Sequence, residues 1–359
     1  MSTVNIGVIG CGYWGPNLIR NIAELPTGNL VAVADTRADR LKHIKTLYPF
    51  VQVTENYSDL FSMGIDAVII ATPPHTHFAI AQDCLNHGIN VLVEKPLTLN
   101  SADGEALIKL AAEKNLVLMV GNTFEYNTAV EMLKQIVDSG ELGEVFYVNA
   151  VRTNLGLFST RHNVMWDLAP HDISIMLYLL GKEPTSVSAM GRSSIYKGVE
   201  DLVYMHMNFD NDIVGHVHVS WLDPQKVRRI TVVGSKKMVV YDDIEPLEKI
   251  KIYDKGVDAP PYADTFAQFQ FSYRYGNVVI PYIKFTEPLR VECQHFIDSI
   301  TNKTRPRSDG VVGLRIVKVL EAGEWSLKNQ SQLKNIEPTS VELAAPALST
   351  VNGNGNGKH

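Results

Sequence analysis

Short apolar runs alternate with longer amphipathic stretches from the start of the chain, and the pattern changes near residue 128. Val4-Asn5-Ile6-Gly7-Val8-Ile9 is a short apolar run rich in β-branched residues, the pattern of a buried parallel strand. Trp14, Leu18, Ile19 and Ile22 then recur at helical spacing. A second apolar run, Leu30-Val31-Ala32-Val33-Ala34, stops at Asp35. Further strands are predicted over 66–71, 90–94 and 116–120, with helices over 77–85 and 102–112 between them. Strand and helix in strict alternation predict a parallel, doubly wound Rossmann sheet over residues 1–122.

Past a predicted helix at 128–139, strand-like runs follow at 145–153, 185–193, 201–209, 213–221, 228–234 and 236–242. Asp210-Asn211 and Gly234-Ser235 mark turns between them. One helix is predicted at 168–180, and two amphipathic helices at 288–301 and 310–327. This is an α+β domain with a mostly antiparallel sheet, over residues 123–329. Residues 257–285 carry many aromatics without periodicity and read as a long loop or arm. The Asn-Gly-rich tail, 330–359, reads as disordered.

Composition narrows the classes. Hydrophobic residues at 45% and charged ones at 20% suit a globular protein with a sizeable core. A net charge of −6 provides no basic surface, which argues against nucleic acid and anionic membranes as partners. No apolar run reaches the length of a membrane span, and Met1-Ser2-Thr3 leads straight into the first strand, leaving no room for a signal peptide. Cys11, Cys84 and Cys293 lack disulfide or metal spacing, so reduced, buried thiols in a cytoplasmic protein are expected. His75-Thr76-His77 and His216-Val217-His218 have no third ligand type at helpful spacing, so no metal is expected.

Three groups of residues carry chemistry. Gly10-Cys11-Gly12-Tyr13-Trp14-Gly15 is a G-x-G-x-x-G turn between strand and helix. Gly10 permits the turn, Gly12 lets a pyrophosphate approach bare backbone, and Gly15 lets helix and strand pack closely. The helix N-terminus then attracts the phosphates. Asp35, at the end of the second strand, is placed to bind ribose hydroxyls and to repel a 2′-phosphate, so NAD is expected over NADP. Arg37 and Arg40 blur that preference, since either can pair with a phosphate.

Lys95 follows an apolar strand at the ligand end of the sheet. Beside a nicotinamide ring, and partly desolvated, it would have a lowered pKa and could accept a proton. A strand-end surface lysine is an equally weighted alternative. In Trp166-Asp167-Leu168-Ala169-Pro170-His171-Asp172, Pro170 is expected in the first helical turn, with Asp167 as N-cap and His171 at the fourth helical position. The helix N-terminus would then keep His171 neutral. A capping Asp and a satisfied His is the preferred reading from these residues alone.

Taken together, Gly10–Gly15, Ala71-Thr72-Pro73 with His77, Glu94-Lys95-Pro96, Gly121-Asn122 and Asp167-x-x-x-His171 resemble the Gfo/Idh/MocA oxidoreductase family, through about Asn329. The resemblance implies acid–base roles for Lys95 and His171, with Asp167 orienting or assisting. It implies cofactor contacts from Gly10, Gly12, Tyr13, Trp14, Gly15, Asp35, Arg37, Thr72, Pro73, His77, Glu94, Lys95 and Asn122. It also implies an open-faced second sheet through which a homodimer or homotetramer forms. Ser174 stands where the family often has a further Asp.

Gly12–Asn17 and Glu287–Cys293 resemble members that oxidise nucleotide sugars at C3, of the UDP-N-acetylglucosamine type. Arg152, Asn154, Arg161 and Trp166 are substrate candidates, able to meet phosphate or hydroxyls. Salt bridges at the sheet edge are as good an account of the arginines. The expected activity is therefore NAD-dependent oxidation of a secondary hydroxyl on a sugar. Glycoside hydrolysis through transient oxidation and a non-catalytic cofactor sensor are the alternatives.

Overall fold

A computed structural model of the chain describes residues 3–258 and 272–340. The first sheet is built from β1 (Val4–Ile9), β2 (Gly28–Ala34), β3 (Gln52–Thr54), β4 (Ala67–Ile70), β5 (Asn90–Glu94) and β6 (Leu118–Gly121). All six run parallel in the order β3-β2-β1-β4-β5-β6. Between them lie α1 (Gly15–Glu24), α2 (Ala38–Leu47), α3 (His77–Asn86) and α4 (Ser101–Lys114). The strands read as continuous apolar runs because both faces are covered: α1 packs on one, α3 and α4 on the other. After β1 the chain winds to β2 on one side, while β4 pairs on the other. The carboxyl ends of β1 and β4 therefore part around a crevice, the place where such sheets take ligands.

Next come α5 (Thr128–Asp138), β7 (Val145–Thr153), α6 (Val164–Leu180), β8 (Pro184–Arg192), β9 (Leu202–Phe209), β10 (Val214–Ser220), β11 (Val227–Gly234), β12 (Met238–Asp242), β13 (Ile250–Asp258) and β14 (Ser272–Val279). The chain closes with α7 (Pro288–Asn302), α8 (Gly310–Lys328) and β15 (Lys334–Asn335). The strands form a nine-stranded sheet, β14-β13-β12-β11-β7-β10-β9-β8-β15, antiparallel except where β7 meets β10. Alternation along β9 puts Val203, Met205, Met207 and Phe209 on the face covered by α5 and α6, leaving Tyr204, His206 and Asn208 on the open one.

Three expectations need correction. The segment 257–285 is in part a strand pair, β13 and β14, joined antiparallel at the sheet edge. Most of β14 is exposed on both faces, so no alternation marks it in the sequence. Within the expected disordered tail, Lys334 and Asn335 pair with Val187 and Ser186 of β8 through backbone alone, which needs no side-chain pattern. Residues 341–359 lie outside the described part of the chain. Finally, α7 and α8, late in sequence, pack on the first domain as well. Leu289, Cys293, Phe296 and Ile297 of α7 join the core around α1. Helix α8 serves both domains, with Val311, Leu314 and Val317 against the Rossmann core and Ile316, Val319 and Leu320 against the second.

Candidate active site

At the switch point the glycine turn adopts the conformation its composition requires. Gly10 has φ +102°, and a Cβ there would lie 2.6 Å from the Ala71 carbonyl oxygen. A Cβ on Gly15 would collide with the Gly10 carbonyl oxygen, so both positions exclude side chains. A Cβ on Gly12 would meet nothing, and Tyr13 beside it is 91% exposed, so the outer wall of the turn is open. Helix α1 begins at Gly15 with Pro16 in its first turn, where a missing N–H costs nothing.

Asp35 braces this cradle. Its Oδ2 accepts from the Cys11 amide at 2.6 Å and its Oδ1 from the Arg37 amide at 2.9 Å. Burial, with Asp35 alongside, pushes the Cys11 thiol up to about 12, which keeps it unreactive. Thr72 and Pro73 follow β4 across the crevice. His77 is fully buried and bridges two loops, with Nε2 2.9 Å from the Thr72 carbonyl oxygen and Nδ1 2.8 Å from that of Pro96. Its part is to fix the walls of the crevice, since none of its surface is exposed.

Lys95 leaves the end of β5 at a cis peptide bond to Pro96. Its Nζ donates to the Asp167 carbonyl oxygen at 2.8 Å and lies 3.9 Å from the Asp167 carboxylate. Burial lowers the Lys95 pKa, Asp167 and Glu94 oppose the shift, and Arg152 adds to it.

Around β5 and β6, Glu94, Glu125 and Glu292 form an acidic layer. Burial pushes Glu94 up to about 7, with Lys95 opposing, and Glu125 up to about 8, with Arg307 opposing. Burial and then the Glu94 charge raise Glu292 well above the carboxylate range. The Oε1 atoms of all three, and Nδ2 of Asn122, have no hydrogen-bond partner among the described residues.

The helix carrying Asp167 and His171 starts earlier than its sequence suggests. Asn163 is the N-cap, accepting from the Trp166 amide at 3.2 Å, so Asp167 and His171 are the fourth and eighth residues of α6. Pro170 sits inside the helix. Asn caps as well as Asp, and Val-Met-Trp after it gives no polar signal of a first turn. His171 is nevertheless held well below the usual histidine range. The cause is burial, followed by the charges of Lys95, Arg152 and Arg228, and not the helix terminus. With the cap assigned to Asn163, Asp167→Asn should leave the melting temperature unchanged and lower turnover. Asn163→Ala should cost about 1 kcal/mol of stability, read by denaturant unfolding.

The four substrate candidates divide. Arg152 is buried and spends its guanidinium on Asp172, with Nε–Oδ2 at 2.8 Å and Nη2–Oδ1 at 2.9 Å, while its Cζ lies 4.6 Å from the centre of the Phe124 ring. Trp166 donates through Nε1 to Glu324 of α8 at 3.3 Å. Asn154 is half-buried, its amide bonded to the Ser220 carbonyl. Arg161 alone of the four is exposed. Three residues that sequence reading passed over stand here instead. Trp221 donates through Nε1 to Asp167 Oδ2 at 2.9 Å. His162 packs edge-on to Trp221, and Phe124 edge-on to His171. No spacing in the sequence links any of them to the site. Among the described residues, no cluster of metal-ligating side chains occurs.

Residues 4–122 match the Gfo/Idh/MocA oxidoreductase family with its NAD-binding Rossmann fold, and residues 130–240 match the C-terminal domain of the same family. The chain belongs to the Gfo/Idh/MocA family. It is an NAD-binding oxidoreductase. The UDP-N-acetylglucosamine 3-dehydrogenase of Acidithiobacillus ferrooxidans is 27% identical to it over 325 residues, covering 88% of this chain and 95% of that one. The scyllo-inositol 2-dehydrogenase (NAD(+)) of Bacillus subtilis is 27% identical over 316 residues, covering 84% and 88%. The solved structure of the Acidithiobacillus enzyme superposes with a TM-score of 0.76 at 25% identity, over 92% of this chain and all of that one. GenD2 from gentamicin A biosynthesis, solved with NAD, shares the fold with a TM-score of 0.79 at 21% identity, over 94% and 97%.

The chemistry of the turn in this Gfo/Idh/MocA protein suits NAD: space is open at Gly12, α1 begins directly after the turn, and the Asp35 carboxylate lies against the Cys11 amide. Asp35→Ser should narrow the preference for NAD over NADP by about 1–2 kcal/mol, on the order of one partly exposed charge interaction. Titration of both dinucleotides checks this, and equal affinity of the unaltered protein for the two would refute the assignment of Asp35. No helix among the described residues is long and apolar enough to cross a membrane.

Proposed function

We propose that the protein oxidises a secondary hydroxyl of a pyranose carried on a nucleotide, at C3, with Lys95 as proton acceptor. The observation that carries this reading is the meeting of Lys95, from the end of β5, with Asp167 on α6 of the other domain. His171, one turn on from Asp167, lies on the same helix face. NAD, when bound, supplies the hydride acceptor. The remaining work falls to side chains.

Lys95, its pKa lowered by burial, takes the hydroxyl proton in its neutral form and becomes an ammonium that Asp167 stabilises. His171, kept neutral, hydrogen bonds the same hydroxyl oxygen and holds the carbon in line. Arg161, the exposed one of the candidate arginines, is the side chain left free to meet a substrate phosphate in this reading. Similarity to the Acidithiobacillus UDP-N-acetylglucosamine 3-dehydrogenase over most of both chains supports a nucleotide sugar as the substrate class. The open face of the nine-stranded sheet is the surface through which we expect copies to assemble.

UDP-N-acetylglucosamine and related UDP- and dTDP-sugars, mixed with protein and NAD⁺, should produce NADH that accumulates with product. Oxidation of free inositols or hexoses while every nucleotide sugar stays inert would overturn the substrate class. Sugar cleavage without NADH accumulation would assign the site to glycoside hydrolysis instead.

A further inference from the structure

Trp221, just past the end of β10, is almost wholly buried at 1% exposure, yet its polar edge is turned toward the site. Its amide donates to the Asp201 carbonyl oxygen at 3.0 Å, and its own carbonyl oxygen accepts from the Gly156 amide at 2.9 Å. The segment carrying Gly156, Phe158 and His162 folds over the indole. A Cβ on Gly156 would lie 2.8 Å from Trp221 Cδ1, and the Phe158 and His162 rings stand 5.7 and 6.2 Å away. The main chain of Trp221 is thus pinned by two backbone hydrogen bonds, and its ring is packed by Gly156 and by the tilted Phe158 and edge-on His162 rings. A buried indole N–H requires a partner, and here it is the Asp167 carboxylate, at 2.9 Å. That carboxylate is a third exposed and faces Lys95 through its other oxygen, at 3.9 Å. Without the indole, a short side chain at this exposure is free to turn toward solvent.

We propose that Trp221 is the positioning residue of the site: its indole N–H fixes the Asp167 carboxylate in the orientation that keeps one oxygen beside the Lys95 ammonium. The inference rests on Lys95 as the proton acceptor, but it concerns the state of that lysine and not the substrate. It can therefore be tested without one. Trp221→Phe keeps the ring and removes the N–H. Asp167 then leaves Lys95, and the lysine loses the carboxylate that opposes its loss of charge.

The test is competitive labelling of Lys95 in the full-length protein with trace acetic anhydride across a pH series, read by mass spectrometry. Trp221→Phe should move the Lys95 titration down by roughly 0.7 of a unit or more, the effect of one charge at about 4 Å in a water-like dielectric. Asp167→Ala should move it in the same direction, and Trp221→Phe added to Asp167→Ala should move it no further. An unshifted lysine in Trp221→Phe, or shifts that add in the double variant, would make Trp221 a packing residue only. If Trp221→Phe does not fold, the indole N–H resonances decide. Asp167→Ala must displace that of Trp221 far more than those of Trp14, Trp166 and Trp325, and an undisplaced resonance overturns the proposal. A labelled Lys95 that behaves as expected while no sugar is oxidised would defeat the proposed substrate and leave this inference standing.

Discussion

Lys95→Met should lower the single-turnover rate of hydride transfer by roughly 10²–10⁴-fold, the usual loss when a positioned acid–base group is removed. NAD affinity should change little, because the groups expected to hold the dinucleotide, the glycine turn and Asp35, lie at the ends of β1 and β2, away from the end of β5. Folding should survive as well. Methionine keeps the bulk of the stem, and the lost contacts are one hydrogen bond to the Asp167 carbonyl and the partly exposed ion pair at 3.9 Å with its carboxylate. The pH dependence follows from the same geometry. Oxidation needs the neutral amine, so the rate should rise with pH through the Lys95 pKa in the folded protein. Burial sets that limb below the ordinary lysine value of 10.5. A rate for Lys95→Met within a few-fold of wild type, at saturating NAD⁺ and sugar, would remove Lys95 from the mechanism.

The largest effect on stability is expected at Arg152. Its ion pair with Asp172 is buried on both sides, at 4% and 2% side-chain exposure, and is bidentate. Arg152→Met leaves the Asp172 carboxylate buried without its cation, at a cost of about 3–5 kcal/mol. Replacing both, Arg152→Met with Asp172→Leu, should recover most of that loss, because no charge is then left stranded. Denaturant unfolding of the two single variants and the double checks the pattern, and a single variant losing less than about 1 kcal/mol would show that the pair carries little. Arg152 also lowers the Lys95 pKa, so in Arg152→Met the limb of the pH–rate profile should move upward. The pair thus ties the packing of α6 on β7 to the state of the lysine.

The Rossmann half was legible because its chemistry is local. Parallel strands covered on both faces must be unbroken apolar runs, and a dinucleotide turn must have glycine wherever a Cβ would strike backbone. Asp35 could be named because strand, turn and helix place it by count. The middle strands of the second sheet were legible through alternation, as along β9. β14 and β15 were not. One is exposed on nearly every residue and the other pairs by backbone alone.

The sequence by itself determined the two-domain order, the NAD cradle and the residue types Lys95, Asp167 and His171. Spacing along the chain suffices for the first two, and the three side chains stand out through the resemblance of their motifs to those of the family. Only the tertiary structure decided what those residues do to one another. Asp167 reads as a helix cap until Asn163 is seen to hold that position, which frees its carboxylate for Lys95 and Trp221. Arg152 reads equally as a phosphate ligand or a salt-bridge partner until the fold buries it against Asp172. His171 is held below the usual histidine range for a reason no local pattern holds, since burial and the charges of Lys95, Arg152 and Arg228 reach it from other elements. Electrostatic environment depends on distance and solvent access, and the fold sets both by bringing together residues far apart in the sequence, such as Asp167 with Trp221, 54 positions on, and Lys95 with His171, 76 positions on.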